Sequence, residues 1–288
     1  MPETVKPSPL GCPCAGDRFE TVFAYTAPPP GEIAFKFSRD GEYRRQVLRC
    51  ETCGHFVSRH DMDTTAMYSG EYVDATYGAD DLRRAFDRIT GLDPAKSDNV
   101  GRVRRIVEFG AAHFGAARSA PSVLDVGSGL CVFLHRMKAA GWRGTALDPD
   151  PRAAAHARET VGVDAVCGDF MTRDDLGRFD VVTFNKVLEH VEDPVLMLAK
   201  SRRHLTDRGF VYVELPDGEA AAQDGPGREE FFIDHPHIFS AASLTLLAAR
   251  AGFRVVTLER LREPSTKYTL RAFLVPETRA EEGADVRD

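Results

Sequence analysis

Missing from this sequence is any apolar run approaching the roughly 20 residues that a membrane-spanning helix needs, so no membrane attachment is expected. The opening residues, MPETVKPSPLG, have no apolar centre of the kind a secretion signal carries. Basic charge is in deficit too. Against 44 Asp and Glu stand 37 Lys and Arg, a net charge of −7. That balance gives phosphate backbones and anionic lipids little to bind, so nucleic acid is not an expected partner. Together these absences predict a cytoplasmic, reducing location, where the six cysteines are thiols or metal ligands rather than disulfides.

What is present is an ordinary globular composition, 43% hydrophobic over 288 residues, enough for one large domain or a medium one with a small companion. The organising stretch is Ser122 to Arg136, SVLDVGSGLCVFLHR. Val123, Leu124 and Val126 have strand character, Gly127-Ser128-Gly129 turns tightly, and a helix follows from Leu130. Strand, glycine turn and helix in succession open a nucleotide-binding βαβ unit, because glycines let the backbone approach a ligand that a Cβ would block. Further strands follow at Gly144–Leu147, Asp164–Cys167, Phe179–Phe184 and Gly209–Leu215, with helices at Arg152–Thr160, Pro194–His204 and Ala241–Ala251. Two last strands, Phe253–Leu258 and Tyr268–Val275, read as an antiparallel closing hairpin. The expected fold class is α/β: a Rossmann-like, doubly wound, mainly parallel seven-stranded sheet.

Ahead of this core lie Cys12-Pro13-Cys14 and Cys50-Glu51-Thr52-Cys53-Gly54, separated by β-prone pieces at Phe19–Tyr25, Ile33–Phe37 and Tyr43–Arg49. Two cysteine pairs on a β-ribbon suit a tetrahedral zinc site with Cys12, Cys14, Cys50 and Cys53 as ligands. CPC is one residue short of the usual CxxC, and His55 or His60 can substitute for a cysteine. The competing readings are four unrelated core residues or a redox pair at Cys50 and Cys53. Four thiolates leave no open coordination position, so a metal here is expected to be structural. Tyr68, Tyr72 and Tyr77 follow in a connector that either packs an interface or covers an acceptor pocket. The expected organisation is a zinc-binding β-ribbon module at 1–75, a helical connector at 76–98, a core domain at 99–276 and a disordered tail at 277–288. In the connector and beyond it, helices are expected over Asp81–Ile89 and from Asp98 or Asn99 to Ala112.

Ligands of doubly wound sheets lie beyond the carboxyl ends of the strands, and four polar landmarks fall there: Asp125 to Gly129, Asp148, Asp169-Phe170 and Asn185. Asp148 suits a ribose diol, Asp169 an exocyclic amine and Phe170 a purine face. A dinucleotide fingerprint needs a third glycine where the chain has Val132. DVGSG instead suits a cofactor with an amino-acid end, its carboxylate on backbone amides and its ammonium near Asp125.

LDVGSG, ALDPD, GDF and FDVVTFNKVLEHVEDP resemble the successive motifs of class I S-adenosylmethionine-dependent methyltransferases, over about Asn99 to Pro276. The resemblance implies S-adenosyl-L-methionine as cofactor. Asp125, Gly127, Ser128 and Gly129 would then lie at the methionine moiety, Asp148 and Pro149 at the ribose, Asp169 and Phe170 at adenine, and Asn185 beside the sulfonium. A narrower resemblance, carried by the cysteine knuckle, the tyrosine-rich connector and FFIDHPHIFS (Phe231–Ser240), is to the zinc-containing bacterial deoxysugar C-methyltransferases and their relatives. It implies a nucleotide-linked sugar, or another saccharide or natural-product intermediate, as small-molecule acceptor.

A sugar hydroxyl, or a carbon beside a ketone, is a poor nucleophile until its proton leaves, and histidine is the natural base near neutral pH. The candidates are His235 and His237, with His190 assisting, and Asp234 or Glu189 can orient an imidazole. The glycine-containing loop Asp217–Arg228 either closes over the acceptor or is a plain surface connection. Two other functions stay open: an RNA methyltransferase gripping its substrate through the zinc module, and a non-catalytic binding protein on the same fold.

Overall fold

The computed structural model describes residues 11–32, 43–62, 82–115 and 120–277. The expected strand at Ile33–Phe37, the three connector tyrosines and most of the tail lie outside them.

Three strands come first: Phe19–Tyr25 (β1), Arg45–Cys50 (β2) and Phe56–His60 (β3), each antiparallel to the next. Two helices follow, Leu82–Thr90 (α1) and Asp98–Phe114 (α2). The expected cap of α2 moves by one residue, since Ser97 holds the N-cap position and Asp98 lies in the first turn.

The alternating part then runs Ser122–Val126 (β4), Val132–Ala139 (α3), Arg143–Asp148 (β5), Pro151–His156 (α4), Asp164–Cys167 (β6), Phe179–Asn185 (β7), Pro194–Lys200 (α5) and Leu205–Pro216 (β8). Asp150 and Asp193 start α4 and α5 in the same way. Each carboxylate accepts a backbone N–H of the first turn, and each is followed by a proline whose missing N–H costs nothing there. Gly218–Ala221 (α6), His237–Ile238 (β9), Ala241–Arg250 (α7), Phe253–Arg262 (β10) and Tyr268–Pro276 (β11) complete the order.

The large sheet has seven strands in the order β10-β11-β8-β7-β4-β5-β6. Pairs among β4 to β8 are parallel, and the closing hairpin is antiparallel, as expected from sequence. Along β4, Val123 and Leu124 are both fully buried yet belong to separate apolar clusters. Successive side chains point to opposite faces, so this strand is covered on both. One cluster gathers Leu244 and Leu247 of α7 with Leu198 of α5; the other gathers Ile106 of α2 with Phe133 and Leu134 of α3.

One feature was not foreseen. The N-terminal sheet has a fourth strand, β9, which the core supplies: Phe56 pairs with Ile238 and Val57 with His237. The loop after β8 is docked as well. A Cβ at Gly218 would come within 2.5 Å of the Phe56 ring, and the Tyr25 hydroxyl donates to the Pro226 carbonyl at 2.9 Å.

Candidate active site

At β4 the sheet direction reverses, with β5 on one side and β7 on the other, and the crevice opened there is where ligands of such sheets bind. Asp125 is the charged group nearest the reversal. The register sets it opposite Thr183 and one position from Phe184, and its Oδ1 accepts from Thr183 Oγ1 at 2.7 Å and from Asn185 Nδ2 at 2.8 Å. It is 2% exposed, and burial pushes its pKa up to about 6 against the pull of those two donors.

The turn after β4 is fixed by the backbone. Gly127 has φ 69°, and a Cβ there would meet Val187 Cγ2 at 2.9 Å. Its N–H and that of Ser128 donate to the Leu147 carbonyl, while Gly129 N–H donates to Asp148 Oδ2 at 2.8 Å. The other oxygen of Asp148 accepts from Asp150 N–H at 2.9 Å, and burial raises its pKa despite those amides. Two non-glycine residues carry left-handed backbone here, Cys131 (φ 58°) at the start of α3 and Lys186 (φ 61°) directly after Asn185. Such strain gathers where a fold holds a functional edge.

The residues predicted for the cofactor therefore meet at one edge, with one exception. Asp125, Gly127, Ser128, Gly129, Asp148 and Asn185 are linked by the contacts above; Pro149 and Asp169 are exposed beside them. Phe170 is 3% exposed instead, its ring edge-on to Phe184 at 5.7 Å and tilted against His204 at 5.5 Å, so it serves the core rather than offering a face to a purine. Thr183 escaped the sequence reading. A threonine in the apolar run FDVVTFN was its only signal, and the β4–β7 register that gives it Asp125 is not written in the sequence.

A second cluster adjoins the β7 end. Ligand atoms of Glu189, His190 and His235 lie within 4.8 Å of one another, and the His190 and His235 rings are edge-on at 4.8 Å. His190 Nδ1–H donates to the Asp234 carbonyl (2.6 Å) and His235 Nδ1–H to the Glu230 carbonyl (3.0 Å), which directs the basic lone pair to Nε2 in each ring. Asp234 Oδ2 stands 3.8 Å from His235 Nε2. Burial lowers His190 and raises Glu189.

His237 stands apart from this cluster, with no exposure and both ring nitrogens engaged, one with His55 Nε2 at 3.0 Å and the other with the Glu192 carbonyl at 3.2 Å. Burial pushes it down to about 4, so it is neutral at pH 7 and pinned at both ends. The physical reason is its place on β9, paired edge to edge with β3.

The four predicted cysteines converge. Cys12 Sγ lies 3.3 Å from Cys14 Sγ and 3.3 Å from Cys53 Sγ, Cys14 Sγ lies 3.5 Å from Cys50 Sγ, and all four fall within 4.8 Å of one another. A tetrahedron with Zn–S arms of about 2.3 Å has edges of roughly 3.8 Å, so the donor set fits a structural metal. His55 is committed to His237 and Ser243 and does not join the cluster, nor does His60. Burial pushes the Cys53 thiol up to about 11. For Cys50 the amides of Cys53 and Thr52, with the Cys14 and Cys12 thiols, outweigh burial and bring it down to about 7.

Three buried groups at the crevice and beside it have polar atoms with no hydrogen-bonding partner among the described residues: Ser128 Oγ, Asn185 Oδ1 and both carboxylate oxygens of Glu189. Folded proteins rarely leave such atoms without a partner, and atoms of this kind also occur away from the crevice, at Arg59, Ser97 and His156 among others.

Comparison with known proteins agrees with this geometry. The profile of a family described as a methyltransferase domain matches residues 99–258. Among solved structures, magnesium protoporphyrin IX methyltransferase from Synechocystis PCC 6803, with bound S-adenosylhomocysteine, aligns with TM-score 0.55 at 14% identity over 75% of this chain and 100% of that one. The 1,6-didemethyltoxoflavin-N1-methyltransferase of Burkholderia thailandensis, with its substrate and S-adenosylhomocysteine, aligns with TM-score 0.52 at 21% identity, covering 83% and 99%. At these identities the two show a shared fold. No curated protein matches the chain.

The buried Asp125 yields a test independent of any ligand. Its ordinary pKa is 3.8 and its folded value about 6, so between those values the folded state holds a proton that the unfolded chain has lost. Stability falls as pH rises through that window, and above it the carboxylate costs up to about 3 kcal/mol. Ligand-free Asp125→Asn is expected to melt higher than the parent at pH 7.5, with the gap closing below pH 4. An equal difference at both pH values contradicts the assignment.

Proposed function

The chain belongs to the methyltransferase-domain family, and from that premise we propose that it moves a methyl group from S-adenosyl-L-methionine to a small polar metabolite. The observation that carries the reading is the family match over 99–258, the same stretch whose strand ends meet around Gly127. When bound, the cofactor supplies an electrophilic methyl on a sulfonium, so the hard chemistry is its own.

The chain's part is to bind, orient and deprotonate. In this reading the Gly127–Gly129 turn lets the methionine carboxylate approach backbone that a Cβ would block. Asp125 would face the ammonium group, and Asn185, whose Oδ1 has no hydrogen-bonding partner among the described residues, would lie beside the sulfonium. Asp148, with Pro149 next to it, takes the ribose diol, and Asp169 takes the adenine amine. Phe170 supports that strand end from the core side.

The acceptor's proton goes to His235. Its Nδ1–H is fixed on the Glu230 carbonyl, so Nε2 is the accepting atom, and Asp234 nearby stabilises the imidazolium that forms. His190 assists by holding the Asp234 carbonyl, and His237 is a positioning residue at the base of the same turn. In this reading the carboxylate and imidazoles of Glu189, His190 and His235 would flank the acceptor, which favours one rich in hydroxyl or carbonyl groups. A nucleotide-linked sugar, or another saccharide or natural-product intermediate, fits that description, in keeping with the resemblance to deoxysugar C-methyltransferases. The cysteine cluster is assigned a structural zinc that stabilises residues 1–75 as a module beside a 76–98 connector and a 99–276 catalytic domain.

Three outcomes are expected. Gly129→Arg abolishes cofactor binding by calorimetry while the melting transition persists; unchanged affinity refutes the cofactor site. His235→Ala keeps cofactor affinity but lowers turnover of a nucleotide-sugar or saccharide acceptor by roughly 10²–10⁴-fold, read from demethylated cofactor released; parental turnover moves the base elsewhere. Metal analysis of purified protein returns about one zinc per chain, and a stable, metal-free protein defeats the module assignment.

A further inference from the structure

The turn that carries the proposed base, Glu230 to Pro236, is held on its outer side by the N-terminal sheet. Two charged side chains make the closest grip. Arg45 on β2 and Glu32 form an ion pair at 3.1 Å whose side chains are 0% and 1% exposed. Arg45 Nη1 donates to the Phe231 carbonyl, and Glu32 Oε2 accepts from the Ile233 N–H at 2.7 Å. The pair is itself braced. Tyr43 OH donates to Glu32 Oε1 (2.6 Å) and accepts from Arg45 Nε (2.9 Å), and the Arg45 guanidinium lies over the Tyr25 ring at 4.2 Å. One residue past the base, Ser58 N–H on β3 donates to the Pro236 carbonyl at 3.0 Å.

A buried ion pair gains little over a well-packed apolar replacement, since desolvation offsets its attraction. What this pair supplies is geometry. The Phe231 carbonyl and the Glu230 carbonyl belong to successive peptide units, and Glu230 O is the acceptor of His235 Nδ1–H. Fixing the one orients the other, and the Glu230 carbonyl in turn decides which imidazole nitrogen carries the proton. The amide of Ile233, one residue before Asp234, is fixed from the same side. The far side of the turn is clamped independently, by the Glu230 carboxylate on Arg228 and on the Tyr268 N–H.

We infer that the Glu32–Arg45 pair is the positioning device of the transfer reaction: the N-terminal module, through these two side chains, sets the orientation and tautomer of His235. The inference rests on the reading of His235 as base, and it extends the module's role from a folding unit to a wall of the acceptor site. Lysine at position 45 keeps the charge but loses the planar fork that reaches Glu32, Tyr43 and Phe231 O together.

The test compares Arg45→Lys and Glu32→Gln with the parent in full-length, metal-loaded protein. Turnover is expected to fall between about tenfold and a hundredfold, with cofactor affinity within twofold and zinc content unchanged. The imidazole 15N spectrum reads the ring directly: His235 is an Nδ1–H tautomer in the parent and a mixture of both tautomers in the variants. A single, unchanged tautomer in either soluble variant overturns the inference, whatever happens to activity. Should Arg45→Lys not fold, Glu32→Gln carries the same readout, as it keeps the shape and loses the charge. If His235→Ala methylates at the parental rate, the base assignment fails, while the tautomer spectrum still judges the pair on its own.

Discussion

Much of this molecule follows from one buried carboxylate placed where the sheet changes direction. Asp125 cannot shed its desolvation cost by moving, because β4 is paired on both sides. It is tolerated because Thr183 and Asn185 of the neighbouring strand both donate to the same oxygen. That requirement ties the glycine turn to the end of β7 and hence to the cluster around Glu189 and His190 that follows it. A carboxylate held this way costs stability relative to an apolar replacement.

The second constraint is the shared sheet at the N-terminus. The cysteine cluster closes one end of β2, and β9 from the core closes the other side of β3. His55, two residues after the last cysteine, bridges to His237, and Ser240, which caps α7, donates to the Cys53 carbonyl. The cysteine cluster and the segment that carries His235 and His237 are thus tied to one hydrogen-bonded layer. Removing either alters the other through backbone contacts, with no long-range signal needed.

The large sheet was legible because its strands are apolar runs ended by polar residues, and alternation with helices leaves few topologies open. β7 and the closing hairpin differ from expectation only at their ends. The crevice residues were legible for the same reason: each lies at the end of a readable strand. What stayed hidden depended on register and on contacts distant in sequence. β9 is two residues long and has no periodicity to detect. Phe170 looked available to a ligand because its neighbours are polar, yet the core took it. His237 and His235 are chemically alike in HPH, and only strand pairing separates a pinned imidazole from one whose Nε2 faces a carboxylate. The Glu32–Arg45 pair joins segments some 200 residues from the turn they hold, a separation no local pattern reports.

That two-residue strand has a consequence for biosynthesis. β3 leaves the ribosome 182 residues before its partner, the separation of the paired Phe56 and Ile238. At ordinary elongation rates the nascent sheet keeps a bare edge for roughly 10 to 35 s, a template for pairing with neighbouring chains. Until β9 arrives, nothing in the large sheet covers the β3 edge, so how fast the rest of the chain follows bears on how much of it escapes aggregation.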